Sequence, residues 1–318
     1  MNVRRRLISA AAATAATALG LGALSACSSG AAAANTGKFD VVASFYPLEF
    51  LAEQIGGSHV HVTNLTKPGQ EPHDLEISAR ETVRLQESDA VLYLKNLQPA
   101  VDGAVAQSEV KTKIDAASLT TLEQHGNEVG GHAASHDTAK NGEAAGLDPH
   151  IWLDPVRYAQ VAQGVGTAFE KADPGHAADY RKNTAALVRK LDALNSRFRD
   201  GLSHTRTKVF ITTHAAFGYL AERYGLTEEA INGLDPESEP SANRVRDLER
   251  MAKADGVSTV FYETLVSGKT AQTIAGDAGL KTDVLDPIEG ITDKPRGTDY
   301  FSVQEANLKA LEKALGSK

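Results

Sequence analysis

From Phe39 onward the chain alternates short apolar runs with amphipathic stretches of helical period, and this rhythm constrains the fold more than any other feature. "FDVVASF" reads as a strand, "PLEFLAEQIGG" as a helix closed by glycine, and "HVHVTNLT" as an alternating strand. "SARETVRLQESD" is a helix in which Ser78 is the N-cap and Glu81, three residues on, has capping-box spacing. "AVLYLK" is again a strand. Such alternation predicts βα units on a parallel sheet. It is interrupted at residues 120–148, a Gly-, Ala-, Asn- and His-rich stretch without periodicity, which reads as a loop.

After "DPHIWLDP" and one helix, Asp173 and Pro174 supply an N-cap and first-turn pair for a second, longer helix. Its apolar residues Tyr180, Leu187, Leu191, Leu194, Phe198 and Leu202 form one continuous stripe. From Pro174 to Leu202 the helix extends roughly 43 Å, longer than a βα crossover needs and long enough to span two lobes. The βα rhythm then resumes with "KVFITTH", "AAFGYLAERYG", "SANRVRDLERMAKADG", "VSTVFYE", "KTAQTIAGDAG" and "LKTDVLD", and ends in the helix "DYFSVQEANLKALEKALG". The expected fold class is α/β: an N-terminal lobe over 39–172, a connecting helix over 173–203 and a C-terminal lobe over 204–318.

The first residues are organised differently. Arg4, Arg5 and Arg6 precede an apolar run ending in "LSAC", the pattern of an export signal over residues 1–26 that resembles a bacterial lipobox. That resemblance makes Cys27 the first mature residue and the site of lipidation. Residues 27–38 follow as a flexible tether. Removing three Arg from 33 basic residues, against 41 acidic ones, leaves a net charge of −11. With no basic run and no aromatic–basic interleaving, nucleic acid is excluded as a partner. Cys27 is the only cysteine, so neither an internal disulfide nor a cysteine-based zinc site can form. No later apolar run reaches the ~18 residues that cross a bilayer.

Three histidines, His73, His150 and His214, stand at strand ends or in the loops after them, where open α/β sheets bind ligands. Asp286 and Glu289 in "VLDPIEG" stand in a comparable place. One such histidine alone reads as a structural hydrogen-bond donor. Three of them with a carboxylate suit a tetrahedral zinc site.

The segments "FYPLEFLAEQIGG", "GQEPHDLE", "DPHIWLDP", "ITTHAAFGYLAERYGL", "DPESEPS" and "VLDPIEGIT", taken in order, resemble the zinc- and manganese-binding lipoproteins of bacterial ABC importers, across residues 39–318. The resemblance implies two α/β lobes joined by a rigid helix, with metal held in the cleft between them. It places the ligands at His73, His150, His214 and Glu289, with Asp286 or water as the rival fourth ligand. Manganese-type members carry a glutamate where His214 stands, so the resemblance implies zinc, with manganese or iron as the alternative cargo. It further implies no enzymatic activity, a monomer tethered to the membrane through Cys27, and delivery of zinc to a permease and its ATPase. Glu71, Asp74 and Glu76 are expected to support the ligands or face solvent. The loop histidines His125, His132 and His136 belong either to an accessory metal collector or to a plain surface insertion.

Three rival readings are weaker. "HDLE" has the His-x-x-Glu spacing of some zinc hydrolases, but no His-Glu-x-x-His is present, and a fourth protein ligand would fill the open position that catalysis needs. "SGKT" at 267–270 lacks the leading glycine of a phosphate loop, whose position is held by Glu263. A lipid-tethered adhesin would require no metal at all.

Overall fold

Among the described residues, eight short strands assort into two parallel four-stranded sheets. The structure, a computed structural model, describes residues 37–125, 146–292 and 296–317. In the first lobe β1 (Phe39–Ala43), α1 (Tyr46–Gly56), β2 (Val60–Asn64), α2 (Ala79–Glu87), β3 (Ala90–Tyr93), α3 (Pro99–Gln107) and β4 (Thr112–Asp115) give the strand order β2-β1-β3-β4. Two helices follow, α4 (Pro155–Ala172) and α5 (Ala177–Leu202). The second lobe contains β5 (Val209–Thr212), α6 (Gly218–Tyr224), β6 (Thr227–Ala230), α7 (Ala242–Ala254), β7 (Thr259–Tyr262), α8 (Lys269–Ala278) and β8 (Lys281–Val284), with α9 (Tyr300–Leu315) after it. Its order, β6-β5-β7-β8, repeats that of the first sheet. In both sheets the chain steps one way from the first strand and returns to the other side of it, so the loops after β1 and β3, and after β5 and β7, diverge. A crevice opens at such a point, beyond the carboxyl ends of the strands.

The Ser78–Glu81 capping box forms as the sequence predicts: Ser78 accepts from the Glu81 N–H and Glu81 from the Ser78 N–H. The start of the long helix does not. Pro174 opens a short 3-10 turn over Pro174–His176, and α5 begins only at Ala177. Asp173 caps no helix with its side chain. Its carboxylate instead accepts from the Tyr180 hydroxyl at 2.6 Å and lies 2.7 Å from His176 Nδ1. These two side chains, one and two turns along, outcompete the free N–H groups of the first turn.

The 26 residues of α5 extend about 39 Å. Tyr180, Leu187, Leu191, Leu194, Phe198 and Leu202 are all buried, and each full burial stabilises by about 1.5–3 kcal/mol. Through this stripe one continuous hydrophobic core runs from Val41 and Leu92 of the first lobe to Phe210, Phe261 and Leu311 of the second. Helix α4 packs along α5 at close approach: a Cβ on Gly166 would lie 2.2 Å from Thr184 Oγ1, so only glycine fits there. Trp152 fastens the lobes directly. Its ring meets Phe45 edge-on, its Nε1 donates to the Pro287 carbonyl at 2.7 Å, and its own carbonyl accepts from the Tyr300 hydroxyl at 2.6 Å.

Residues 1–36, with Cys27 and the expected export signal, lie outside the described residues, as do His132 and His136. Among the described residues no helix is long and apolar enough to cross a membrane.

Candidate metal centre

The loop after β2 and the loop before α4 present a histidine by the same local device. In Glu71-Pro72-His73, the Glu71 carboxylate accepts the backbone N–H of His73 at 3.0 Å and lies 2.6 Å from its Nδ1. In Asp148-Pro149-His150, Asp148 accepts the backbone N–H of His150 at 2.9 Å and lies 2.7 Å from its Nδ1. Proline fixes the middle φ of each turn and has no N–H to compete for the carboxylate. His214 comes just after β5 and reaches across to the neighbouring strand, where Glu263 at the end of β7 lies 2.7 Å from its Nδ1. An ionised carboxylate can only accept, so all three Nδ1 atoms carry the proton and each Nε2 is left for another partner.

The free edges of His150 and His214 converge. His150 Nε2 and His214 Nε2 lie 3.3 Å apart. Glu289, in the loop after β8, places Oε1 3.4 Å from each of them and 4.0 Å from His73 Nδ1. One prospective ligand atom from each of the four residues lies within 4.8 Å of all the others. His150, His214 and Glu289 are buried, and His73 is nearly so. Both Glu289 oxygens and His73 Nε2 are shut off from solvent without a hydrogen-bond partner. His73 and His150 come from the first lobe, His214 and Glu289 from the second. Beside His73 a cleft of about 830 Å³, lined by Lys95 and Pro149 on one side and Leu234 and Asp235 on the other, leads to the cluster.

Electrostatics follow from this crowding. Burial pushes the His150 imidazole toward the neutral form, but the Asp148 charge and hydrogen bond, with Glu289, outweigh it and raise the pKa to about 9. His214 is likewise depressed by burial and lifted further by Glu263 and Glu289, ending well above the ordinary histidine value. Burial raises Glu289, and the three imidazoles overcome it, holding this carboxyl well below the usual range. Burial raises Glu71, only partly offset by its hydrogen bond to His73. The cluster is therefore built for positive charge at its centre, supplied by protons or by a cation.

Asp286, the rival fourth ligand, is turned away. One of its oxygens accepts the Ile288 N–H at 2.8 Å and the other accepts from Thr264 Oγ1 at 3.1 Å. Burial and these partners together leave its pKa at about 6. Asp74 and Glu76 are exposed, so the "HDLE" pairing does not form a site. His125 joins a second, shallower group with Glu123 and Glu222. There Arg157 pairs with Glu123 and lies 3.8 Å from Glu222, so a guanidinium already serves both carboxylates. His125 Nδ1 also lies 2.8 Å from Asp148, which thereby links it to His150. Sequence reasoning missed Asp148 and Glu263 as the partners of His150 and His214. The acid two residues before a Pro-His was a usable signal for Asp148, since Glu71-Pro72-His73 repeats it. Glu263, 49 residues from His214, has no local signal.

A family profile described as ZnuA, the periplasmic zinc-uptake complex component A, matches residues 41–314. The zinc-binding lipoprotein AdcA of Streptococcus pneumoniae serotype 4 is 36% identical over 282 residues, which cover 87% of this chain and 56% of that protein. This chain thus spans just over half the length of such relatives. The high-affinity zinc uptake system protein ZnuA of Bacillus subtilis is 30% identical over 292 residues, 90% of both chains. Among solved structures, the Zn(II)-bound ZnuA-like domain of Streptococcus pneumoniae AdcA superposes with a TM-score of 0.72 at 34% identity, covering 88% of this chain and 99% of that domain.

Proposed function

The chain belongs to the ZnuA family of zinc-uptake components, and we propose that it captures zinc outside the cytoplasm through His73, His150, His214 and Glu289 and hands it to an ABC importer. The observation that carries this reading is the spacing of the inward atoms. Zinc bonded tetrahedrally at about 2.0–2.1 Å requires its ligand atoms to stand about 3.3–3.4 Å from one another. His150 Nε2, His214 Nε2 and Glu289 Oε1 are 3.3, 3.4 and 3.4 Å apart. These separations match three edges of such a tetrahedron, which supports the reading, and His73 Nε2 is the remaining buried nitrogen without a partner.

Imidazole-rich sites follow the Irving–Williams order, in which manganese binds weakest of the common divalent ions, so the donor set favours zinc over manganese. Three histidines and a glutamate fill a tetrahedron, as befits a carrier, and the family is a substrate-binding transport component rather than an enzyme. Family components of this kind work with a membrane permease and an ATPase. The finer parts of the reading are that Cys27 carries the lipid anchor, that residues 27–38 are its tether, that 39–172 and 204–318 act as two lobes joined through 173–203, and that the protein works as a monomer.

Metal content of purified protein, followed by competition between zinc and manganese, tests the reading. It predicts one tight zinc ion per chain and manganese weaker by orders of magnitude. Equal affinity, or no tight metal, would overturn it.

A further inference from the structure

Acid–proline–X turns occur in both lobes of this cleft, and the one in the last loop carries no histidine. In Asp286-Pro287-Ile288 the carboxylate accepts the backbone N–H two residues on, as Glu71 does for His73 and Asp148 for His150. The residue so held is Ile288, with φ of 58°. A β-branched L-residue is a rare occupant of the left-handed region, because its Cβ crowds the following carbonyl. Such a conformation persists only where the surroundings over-determine it. Here they do. Asn307 binds both the N–H and the carbonyl of Asp286, at 2.9 and 2.7 Å. Trp152 Nε1 donates to the Pro287 carbonyl, and Thr264 holds the second Asp286 oxygen. Asp286, Ile288 and Asn307 are all buried. The next residue is Glu289, and its carboxylate is the one that meets the imidazoles.

We propose that Asp286 and Ile288 form a strained bracket that aims Glu289: the Asp286 carboxylate holds Ile288 in the left-handed conformation, and that turn directs the Glu289 side chain into the histidine cluster. This rests on Glu289 being a metal ligand. Asp286 and Ile288 are positioning residues, acting on the metal only through Glu289. The bracket also explains why an acid stands at 286 beside the site without facing it. Its two oxygens are committed to the Ile288 N–H and Thr264. A relaxed backbone at 288 would leave the direction of Glu289 to a rotamer choice. Glycine, which occupies the left-handed region freely, would adopt the turn without enforcing it.

Two comparisons test the bracket. First, zinc affinity is measured by chelator competition for Asp286→Ala alone and in a Glu289→Gln background. Asp286→Ala is expected to weaken zinc at least tenfold in the parent and less than about threefold once Glu289 is gone, since coupled residues are non-additive. Asp286→Asn, which keeps an oxygen for the Ile288 N–H, should recover most of the loss. An equal loss in both backgrounds would overturn the bracket while leaving Glu289 a ligand. A Glu289→Gln variant that binds zinc as tightly as the parent would overturn the ligand assignment, and the bracket with it. Second, Ile288→Gly and Ile288→Ala remove nearly the same buried side chain and differ in Cβ. At an ordinary helical or extended φ the alanine variant melts higher, whereas a left-handed residue 288 reverses the order. The metal-free glycine variant is therefore expected to melt above the alanine variant, and the opposite order would refute strain at this position even if Asp286→Ala does not fold.

Discussion

Zinc should enter this site by displacing protons, and its apparent affinity should rise steeply with pH. In the metal-free protein the His150 pKa is raised to about 9, and His214 is raised well above the histidine norm. His150 therefore holds a second proton at neutral pH, on the Nε2 atom that would bind the ion, and His214 is shifted toward the same state. A divalent ion replacing two protons leaves the buried charge unchanged, which is favourable in a pocket where Glu289 stays ionised. Each displaced proton costs about 1.4 kcal/mol for every pH unit below its pKa. His150 alone makes a dependence of about 1.4 kcal/mol, or about tenfold in affinity, per pH unit between pH 7 and 8.5, and His214 steepens it while it stays protonated. Calorimetric titration in buffers of different ionisation enthalpy counts the protons released, and chelator competition, corrected for the chelator's own protonation, gives the slope. Release of more than one proton at pH 7 and a slope above one are expected. An affinity constant within threefold across that range, with heats independent of buffer, would refute a site of protonated, carboxylate-backed imidazoles.

The same groups govern stability. Folded pKa values raised above about 6.5 stabilise the metal-free protein fully below that pH, and this contribution is lost as pH rises toward 9. Its melting temperature should fall between pH 7 and 9 while the zinc-induced increment grows, measured by scanning calorimetry with and without metal. Alanine at His73, His150 or His214 should each weaken zinc by at least tenfold, on the order of 1.4 kcal/mol or more, in chelator competition, and His214→Glu should narrow the gap between zinc and manganese. Glu263→Gln should weaken zinc about ten- to a hundredfold without removing a ligand, because it loosens the tautomer and orientation of His214. Asp154, which caps α4 through the Val156 N–H and pairs with Arg223 of α6, is 1% exposed. Asp154→Ala should cost about 2–3 kcal/mol in denaturant unfolding, less than a fully buried pair would because Arg223 is one-third exposed.

The parts of the fold legible in the sequence were those in which a single local pattern decides the outcome. The Ser78 capping box, the glycine-closed helices and the α5 stripe each follow from residues within a few turns of one another. Three elements gave no such signal. α3 is a stretch of Ala, Val and Gly with only Val101 and Val105 buried. β4 buries Ile114 alone. β6 is "TEEA", whose two glutamates are buried because Thr212 and the Phe217 N–H satisfy Glu228 and Arg244 satisfies Glu229. No hydrophobic pattern can announce a strand whose core-facing residues are acids with distant partners. Asp173-Pro174 misled for a related reason, since the side chains of Tyr180 and His176 took the carboxylate expected to cap the helix. At the candidate metal centre the histidines and Glu289 stood out as strand-end residues within a family resemblance. Their mutual distances, and the role of Glu263, depend on how β5, β7 and β8 lie side by side, which no local spacing encodes.

Anomalous diffraction from zinc-loaded crystals, recorded on both sides of the zinc absorption edge, tests the central claim most directly. One strong peak is expected within about 2.0–2.2 Å of His73 Nε2, His150 Nε2, His214 Nε2 and a Glu289 oxygen. A dominant peak elsewhere, such as beside Glu123, His125 and Glu222, with the four-residue cluster empty, would contradict it.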